Sequence, residues 1–227
     1  MGIFDLNYSI TVKETFMESN IYYIDNFYKN PDAVLDLFNK TPSRVHHPYP
    51  EIKSQSLNGV HFDDRRHVLE DCDEISKVYK YLSMICGQKV LSDDRIGLTN
   101  QIKFFKHDFN NFKDNYWHPH GDWGYNGLVY LNKGDDTCGT NLYKQLQDDR
   151  NQIGREHLEP WRPKERYEII KTIKPKFNRC VLFDGGKFLH GMHIPNDMYF
   201  GEEYRFNQVF FFKNVRGFTT LSGLSAM

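Results

Sequence analysis

The chain is short of several things that would each point to a definite class. Its 227 residues hold four cysteines, Cys72, Cys86, Cys138 and Cys180, and none forms a C-x-x-C pair. That spacing excludes a zinc knuckle and a thioredoxin-type redox site. No apolar run approaches the roughly 20 residues of a membrane-spanning helix. The opening MGIFDLNYSI has no basic region followed by a long apolar run, so it does not read as a secretion signal. Gly2 is followed by Leu6 where N-myristoylation uses Ser or Thr. Charge of one sign is also missing: 29 basic against 30 acidic residues give a net charge of −1 and a sequence pI near 6.8. Neither nucleic acid nor an anionic membrane surface is expected as a partner, which leaves a small molecule or a peptide. Free thiols without a leader favour a cytoplasmic setting. There is no internal repeat, low-complexity tract or long linker.

What the chain has in quantity is aromatic side chains, 15% of residues, with 18 Phe and 14 Tyr. Flat, β-favouring side chains in that number predict a sheet-rich core. Residues 21–25, IYYID, read as a short strand. Asn30 as N-cap and Pro31 as first helical residue open a helix over about 31–40, with Val34, Leu37 and Phe38 on one face. Residues 41–66 carry turn formers and few periodic apolar positions, and read as mostly loop. A second helix is predicted over 69–86, with Leu69, Ile75, Val78, Tyr79, Leu82 and Ile85 as its buried stripe and Gly87 as its stop.

From about residue 98 the pattern changes to short apolar or alternating runs: QIKFFK, GLVYLN, GTNLYK, RYEIIKTI, RCVLFDG and RFNQVFFF. Turn formers separate most of them, which is the signature of an all-β sandwich or barrel. Residues 144–164 are polar and read as an insertion, a lid or a plain loop. The parse is a helical N-terminal layer, 1–95, packed on a β-rich core, 96–227.

The segment YWHPHGDWG contains His120-Gly121-Asp122. In extended chain, positions i and i+2 face the same way, so an imidazole and a carboxylate enter one cavity. A second histidine from a neighbouring strand would complete a 2-His-1-carboxylate face that leaves coordination positions open, as non-haem Fe(II) oxygenases need. With 10 His and 19 Asp in the chain, about one H-x-D match is expected by chance, and a second does occur at His61-Phe62-Asp63. That pair sits among loop-like residues before Asp64-Arg65-Arg66 and reads as a solvated surface pair. His120 and Asp122 lead instead into the strand succession. Downstream, RCVLFDGGKFLHGMH runs from an apolar strand through a Gly-rich turn to a short return carrying His190, with His193 as the alternate third ligand. His46 and His47, near Pro48 and Pro50, look like a loop feature. His118 and Trp123 flank the motif and either line its mouth or simply pack.

Arg205 opens RFNQVFFF, an otherwise apolar strand. A guanidinium there is costly unless it meets an anion, and a dicarboxylate would accept two parallel hydrogen bonds. Asn207 faces the same side and could add a contact. The other reading pairs Arg205 with Glu202, Glu203 or another surface carboxylate.

The order His120-x-Asp122, His190, Arg205 resembles that of the Fe(II)/2-oxoglutarate-dependent dioxygenases, in particular the prolyl-hydroxylase-like branch and related small oxygenases. Pro119-His120-Gly121-Asp122 is similar to that family's P-H-x-D. Val129-Tyr130-Leu131-Asn132 with Gly139-Thr140 is similar to its Y-L-N…G-G-T segment, with Cys138 in place of the first Gly. Asn207 stands where the R-x-S form of the anchor has Ser. IYYIDNFYKNPDAV resembles the family's entry strand. The resemblance implies a single oxygenase domain over 1–227, mainly β with N-terminal helices, folded as a double-stranded β-helix or jelly roll. It implies Fe(II) at His120, Asp122 and His190. It also implies 2-oxoglutarate as co-substrate, held at its far carboxylate by Arg205 and Asn207, and O2 as oxidant. The products would be succinate, CO2 and a hydroxylated substrate. A carboxylate at Asp122 favours hydroxylation over halogenation, since related halogenases have a small residue there. Two rivals share parts of this pattern: a cupin-like metalloenzyme that does not use 2-oxoglutarate, and a non-catalytic jelly-roll binding or virion module.

Overall fold

The computed structural model describes residues 2–41, 44–45, 62–69, 73–88, 97–104, 106–122, 124–147 and 160–213. Strands dominate them, in antiparallel sheets, with few helices. A hairpin comes first: β1 (Thr11–Phe16) pairs antiparallel with β2 (Ser19–Ile24) through a turn whose Met17 and Glu18 both have positive φ. Helix α1 (Pro31–Lys40) starts where its cap predicts: the Asn30 side chain accepts a hydrogen bond from the Ala33 N–H at 3.2 Å, and Pro31 holds the first helical position. Helix α2 (Asp73–Cys86) buries Ile75, Val78, Tyr79 and Leu82, a stripe at helical spacing.

The expected loop over 41–66 and the start of α2 at 69 both need correction. Residues Arg44–Val45 form β3 and Phe62–Leu69 form β4. The sequence of β4, FDDRRHVL, has no apolar alternation. It is held by backbone pairing with β5 (Gly97–Phe104), in register from Phe62↔Phe104 to Leu69↔Gly97, and such pairing does not depend on side-chain pattern. The stretch before residue 96 therefore supplies strands as well as helices. His46, His47, His61 and Trp123 lie outside the described residues, as does 148–159 of the expected insertion.

Further along come a short helix α3 (Asn111–Asp114), then β6 (Asn115–Trp117), β7 (Gly124–Tyr130), β8 (Thr140–Gln145), β9 (Trp161–Pro163), β10 (Tyr167–Ile173), β11 (Arg179–Asp184), β12 (Leu189–Met192) and β13 (Arg205–Lys213). The six apolar runs of the sequence correspond to β5, β7, β8, β10, β11 and β13. Among the described residues the sheets are β1-β2-β11-β7-β13-β5-β4-β3, β10-β8-β12 and the pair β6-β9.

Alternation along the central strands sorts the core into two layers. Cys180 and Leu182 of β11, Val129 of β7 and Phe206, Phe210 and Phe212 of β13 join Val34, Phe38, Ile75, Val78, Tyr79 and Leu82 of the helices. Tyr79 meets the Phe210 and Phe212 rings edge-on at 5.2 and 5.4 Å. On the other face, Val181, Phe183, Tyr130 and Ile21 meet Leu142, Ile173 and Phe188, so β8 and β10 of the small sheet cover the large one. Each of these fully buried side chains contributes about 1.5–3 kcal/mol. The large sheet thus has helices on one face and a second sheet on the other. No described helix is long and apolar enough to cross a membrane.

Candidate metal centre

His120 and Asp122 do not lie inside a strand, so simple alternation is not what brings them together. They sit in the extended link between β6 and β7, tied at two points to the segment around β12. The His120 N–H donates to the His190 carbonyl (3.0 Å) and the His190 N–H to the His120 carbonyl (2.7 Å). One step on, the Asp122 N–H donates to the Gly185 carbonyl at 2.9 Å. The turn that returns β11 to β12 is shaped by Asp184, whose Oδ1 accepts from the Gly186 and Lys187 N–H groups at 3.0 and 3.1 Å.

The ligand-type atoms of His120, Asp122 and His190 lie within 4.8 Å of one another, the one such grouping of three among the described residues. Asp122 Oδ2 is 3.2 Å from His190 Nε2 and 4.0 Å from His120 Nε2. His190 is buried, while His120 and Asp122 are partly open, so the group has a wet side and a dry side. The far nitrogen of each ring faces a backbone carbonyl two residues upstream: His120 Nδ1 is 2.8 Å from the His118 carbonyl, and His190 Nδ1 is 3.3 Å from that of Phe188. A carbonyl can only accept, so Nδ1 carries the proton and Nε2 offers its lone pair inward. Metal-ligating histidines are commonly oriented in this way.

Burial alone would push the Asp122 carboxyl up. The contact from His190, the charge that His190 and His120 carry when protonated, and the Asn126 amide together outweigh it and hold the carboxyl well below its usual range. Asp122 is therefore ionised, and the cluster favours positive charge. Two neutral imidazoles and one carboxylate suit a divalent transition ion, so the residues fit the metal that the motif implies.

His118 is positioned by an unusual backbone. Its φ is +48°, and its ring stacks on His120 with centroids 4.2 Å apart and planes 21° apart. Gly191 makes this possible: a Cβ there would lie 2.5 Å from the Trp117 carbonyl and 3.1 Å from that of His118. The structure thus places His118 behind His120, as ring support and carbonyl acceptor. His193 is half-buried, which pushes its imidazole down, and its N–H donates to the Gly139 carbonyl at 3.0 Å; it stands outside the cluster.

Arg205 lies in the same inter-sheet space, over the Tyr130 ring. It is buried, with Nε donating to the Cys138 carbonyl (3.2 Å), Nη2 to that of Gly139 (3.3 Å) and Nη1 to Asn207 Oδ1 (2.8 Å). Its guanidinium is 5.7 Å from the Tyr130 ring centre. No carboxylate stands within ion-pair distance of Arg205 among the described residues; Glu202 instead lies 3.6 Å from Lys103. The buried Asp135 accepts from Thr137, Cys138 and Tyr199, which use both its oxygens.

Asn126, which the sequence left unassigned, and Tyr130, which it offered only as part of the Y-L-N segment, belong here. Asn126 and Tyr130 project from the same face of β7, Asn126 to the triad and Tyr130 to Arg205, where its hydroxyl meets Thr140 Oγ1 at 2.8 Å. Four residues of strand span about 13 Å, so β7 forms a wall joining the two groups. The alternation Asn126, Leu128, Tyr130 after Asp122 was the available signal.

No family model matches the chain, and neither does any curated protein. Among solved structures it is similar to a prolyl-4-hydroxylase from Pseudomonas putida, with 10% identity, 82% of this chain and 100% of that chain covered, and a TM-score of 0.34. A likeness of that degree carries no inference to this chain, and the functional reading rests on the residues.

Proposed function

We propose that the chain is a non-haem Fe(II)- and 2-oxoglutarate-dependent dioxygenase that hydroxylates a C–H bond of a peptide side chain or a small metabolite. The two facing sheets are read as its double-stranded β-helix. The observation that carries the proposal is a pairing inside one inter-sheet space. At one end, three lone-pair donors converge and favour positive charge. At the other, a buried guanidinium has no carboxylate partner among the described residues.

In this reading His120, Asp122 and His190 hold the metal, with His118 and Phe188 fixing the two rings. Bound iron would supply the redox chemistry of oxygen activation and decarboxylation. Arg205, backed by the carbonyls of Cys138 and Gly139, would hold the far carboxylate of 2-oxoglutarate, with Asn207 keeping the guanidinium in place. The apolar lining between the ends, from Leu128, Leu142 and Phe183, would exclude water from the chelating part of the co-substrate. The partly open side, where His120 and Asp122 reach solvent, would admit the substrate.

The test is turnover without added substrate. Purified protein with Fe(II), O2 and ascorbate as the two-electron reductant should convert 2-oxoglutarate to succinate slowly, and H190A should abolish the conversion. One observation favours a second reading. Three of the Arg205 contacts are already made within the protein, which suits a cupin-like metalloenzyme in which Arg205 is only structural. In that case the protein would bind metal, form no succinate, and be indifferent to 2-oxoglutarate.

A further inference from the structure

Asn126 of β7 is almost wholly buried, 4% exposed, and its amide head lies against the triad. Its Nδ2 donates to Asp122 Oδ2 and stands 3.0 Å from His190 Nε2. These are two of the three atoms whose lone pairs a cation would take. With the ring neutral and its Nδ1 proton on the Phe188 carbonyl, as a metal ligand requires, Nε2 accepts from the amide. One NH2 group thus covers both lone pairs. Its other end is left without a partner: Asn126 Oδ1 is buried, and among the described residues no group donates to it. A buried acceptor in that state is costly. The amide is also tightly seated, since a Cβ on Gly185 would lie 2.8 Å from Nδ2 and 3.1 Å from Cγ.

An N–H aimed into the triad suits a cation-free centre and opposes a bound one. The carbonyl oxygen of an amide is nearly the same size as its NH2, and a half-turn about Cβ–Cγ exchanges them without moving the rest of the side chain. Given that the triad is a metal centre, on which this step rests, we infer that Asn126 is its cation-responsive positioning residue. Without metal its NH2 holds Asp122 and His190 together. On cation binding the amide turns end for end, and its carbonyl oxygen faces the ion, directly or through one ion-held water. The stranded oxygen of the cation-free state thereby gains its partner. The contact occupies no fixed place in the face of ligands, so a chelating co-substrate can displace it.

The test uses Co(II) as probe, titrated into the metal-free protein and followed by its visible absorption. Replacement Asn126→Ala should weaken Co(II) binding about tenfold or more, the scale on which groups supporting metal ligands act. Asn126→Asp, which keeps the shape and presents oxygen only, should bind at least as tightly as the unaltered chain. The side-chain NH2 signal of Asn126 in a 15N correlation spectrum, identified by its loss in Asn126→Asp, should move on saturation with Zn(II). It should stay fixed when Zn(II) is added to His190→Ala. Equal or tighter Co(II) binding by Asn126→Ala overturns the inference while leaving the metal centre intact. If Asn126→Ala does not fold, Asn126→Asp decides, and a tenfold fall in its affinity overturns it equally. Absence of Co(II) binding by the unaltered chain would overturn the metal centre itself.

Discussion

The two ends of the inter-sheet space are built in opposite ways. At the triad, backbone carbonyls take the Nδ1 protons, so His120 and His190 present acceptors, and Asp122 adds a carboxylate. At Arg205, backbone carbonyls take guanidinium protons, so what remains is a cationic donor group with no carboxylate partner among the described residues. In the proposed function one end would take a cation and the other an anion, and β7 carries a polar residue to each, Asn126 and Tyr130. The difference teaches that main-chain oxygens orient both groups, while the side chains set the sign of the charge that each presents.

Several changes would break or sharpen that contrast. The largest effect is expected at the acceptor end. His190→Ala or His120→Ala should reduce Co(II) affinity by a factor of about 100 or more, since a divalent ion would lose one of three protein donors. Calorimetric titration checks this, and unchanged affinity would remove the residue from the metal centre. At the donor end, Arg205→Gln should leave Co(II) affinity unchanged and weaken 2-oxoglutarate about 10- to 100-fold, in line with loss of a charge-assisted, doubly hydrogen-bonded anchor. A fall in metal binding with 2-oxoglutarate unaffected would reverse the assignment of the two ends. Gly191→Ala tests the scaffold that the triad depends on. A Cβ 2.5 Å from the Trp117 carbonyl should cost about 1–3 kcal/mol in urea unfolding and weaken metal binding as the His118 carbonyl is displaced.

The smallest effect is expected away from both ends. Asp25 receives Arg179 Nε at 2.6 Å and Lys176 Nζ at 2.8 Å. Those contacts, the Arg179 hydrogen bond first, hold its carboxyl down at about 2. A depressed carboxyl contributes stability above its unfolded value of about 3.9 and loses it as pH falls through about 2. The group is partly exposed, so Asp25→Asn should cost only about 0.5 kcal/mol at neutral pH after solvent screening. Unfolding midpoints of the two proteins should converge as pH falls from about 4 towards 2.

Legibility in the sequence followed the kind of interaction involved. Helix α1 could be read from Asn30 and Pro31 because a cap is a local hydrogen bond. Strands β7, β11 and β13 could be read because burial on both faces leaves near-continuous apolar runs. The proximity of His120, Asp122 and His190 was anticipated from their order, though their role as ligands belongs to the proposal. The strand β4 was illegible, since FDDRRHVL depends on pairing with a segment some 35 residues on. The pair β6-β9 was illegible for the same reason. The positive φ of His118 could not be inferred, because it depends on the close approach of Gly191; the face that Asn126 takes followed from strand alternation, but its seat against Gly185 did not. The bridge between His120 and His190 shows the limit of period-2 reasoning. The motif's geometry comes from two backbone hydrogen bonds between the extended link that carries His120 and the segment that carries His190, and alternation alone would not supply it.

Both ends would act on one chelated co-substrate, and an anaerobic absorbance titration tests this most directly. Adding 2-oxoglutarate to the Fe(II)-loaded protein should produce the visible charge-transfer band of a keto-acid chelate at one equivalent of iron. His190→Ala should give no band, and Arg205→Gln should require a much higher 2-oxoglutarate concentration. Iron that binds to the unaltered chain without ever producing that band would contradict the account.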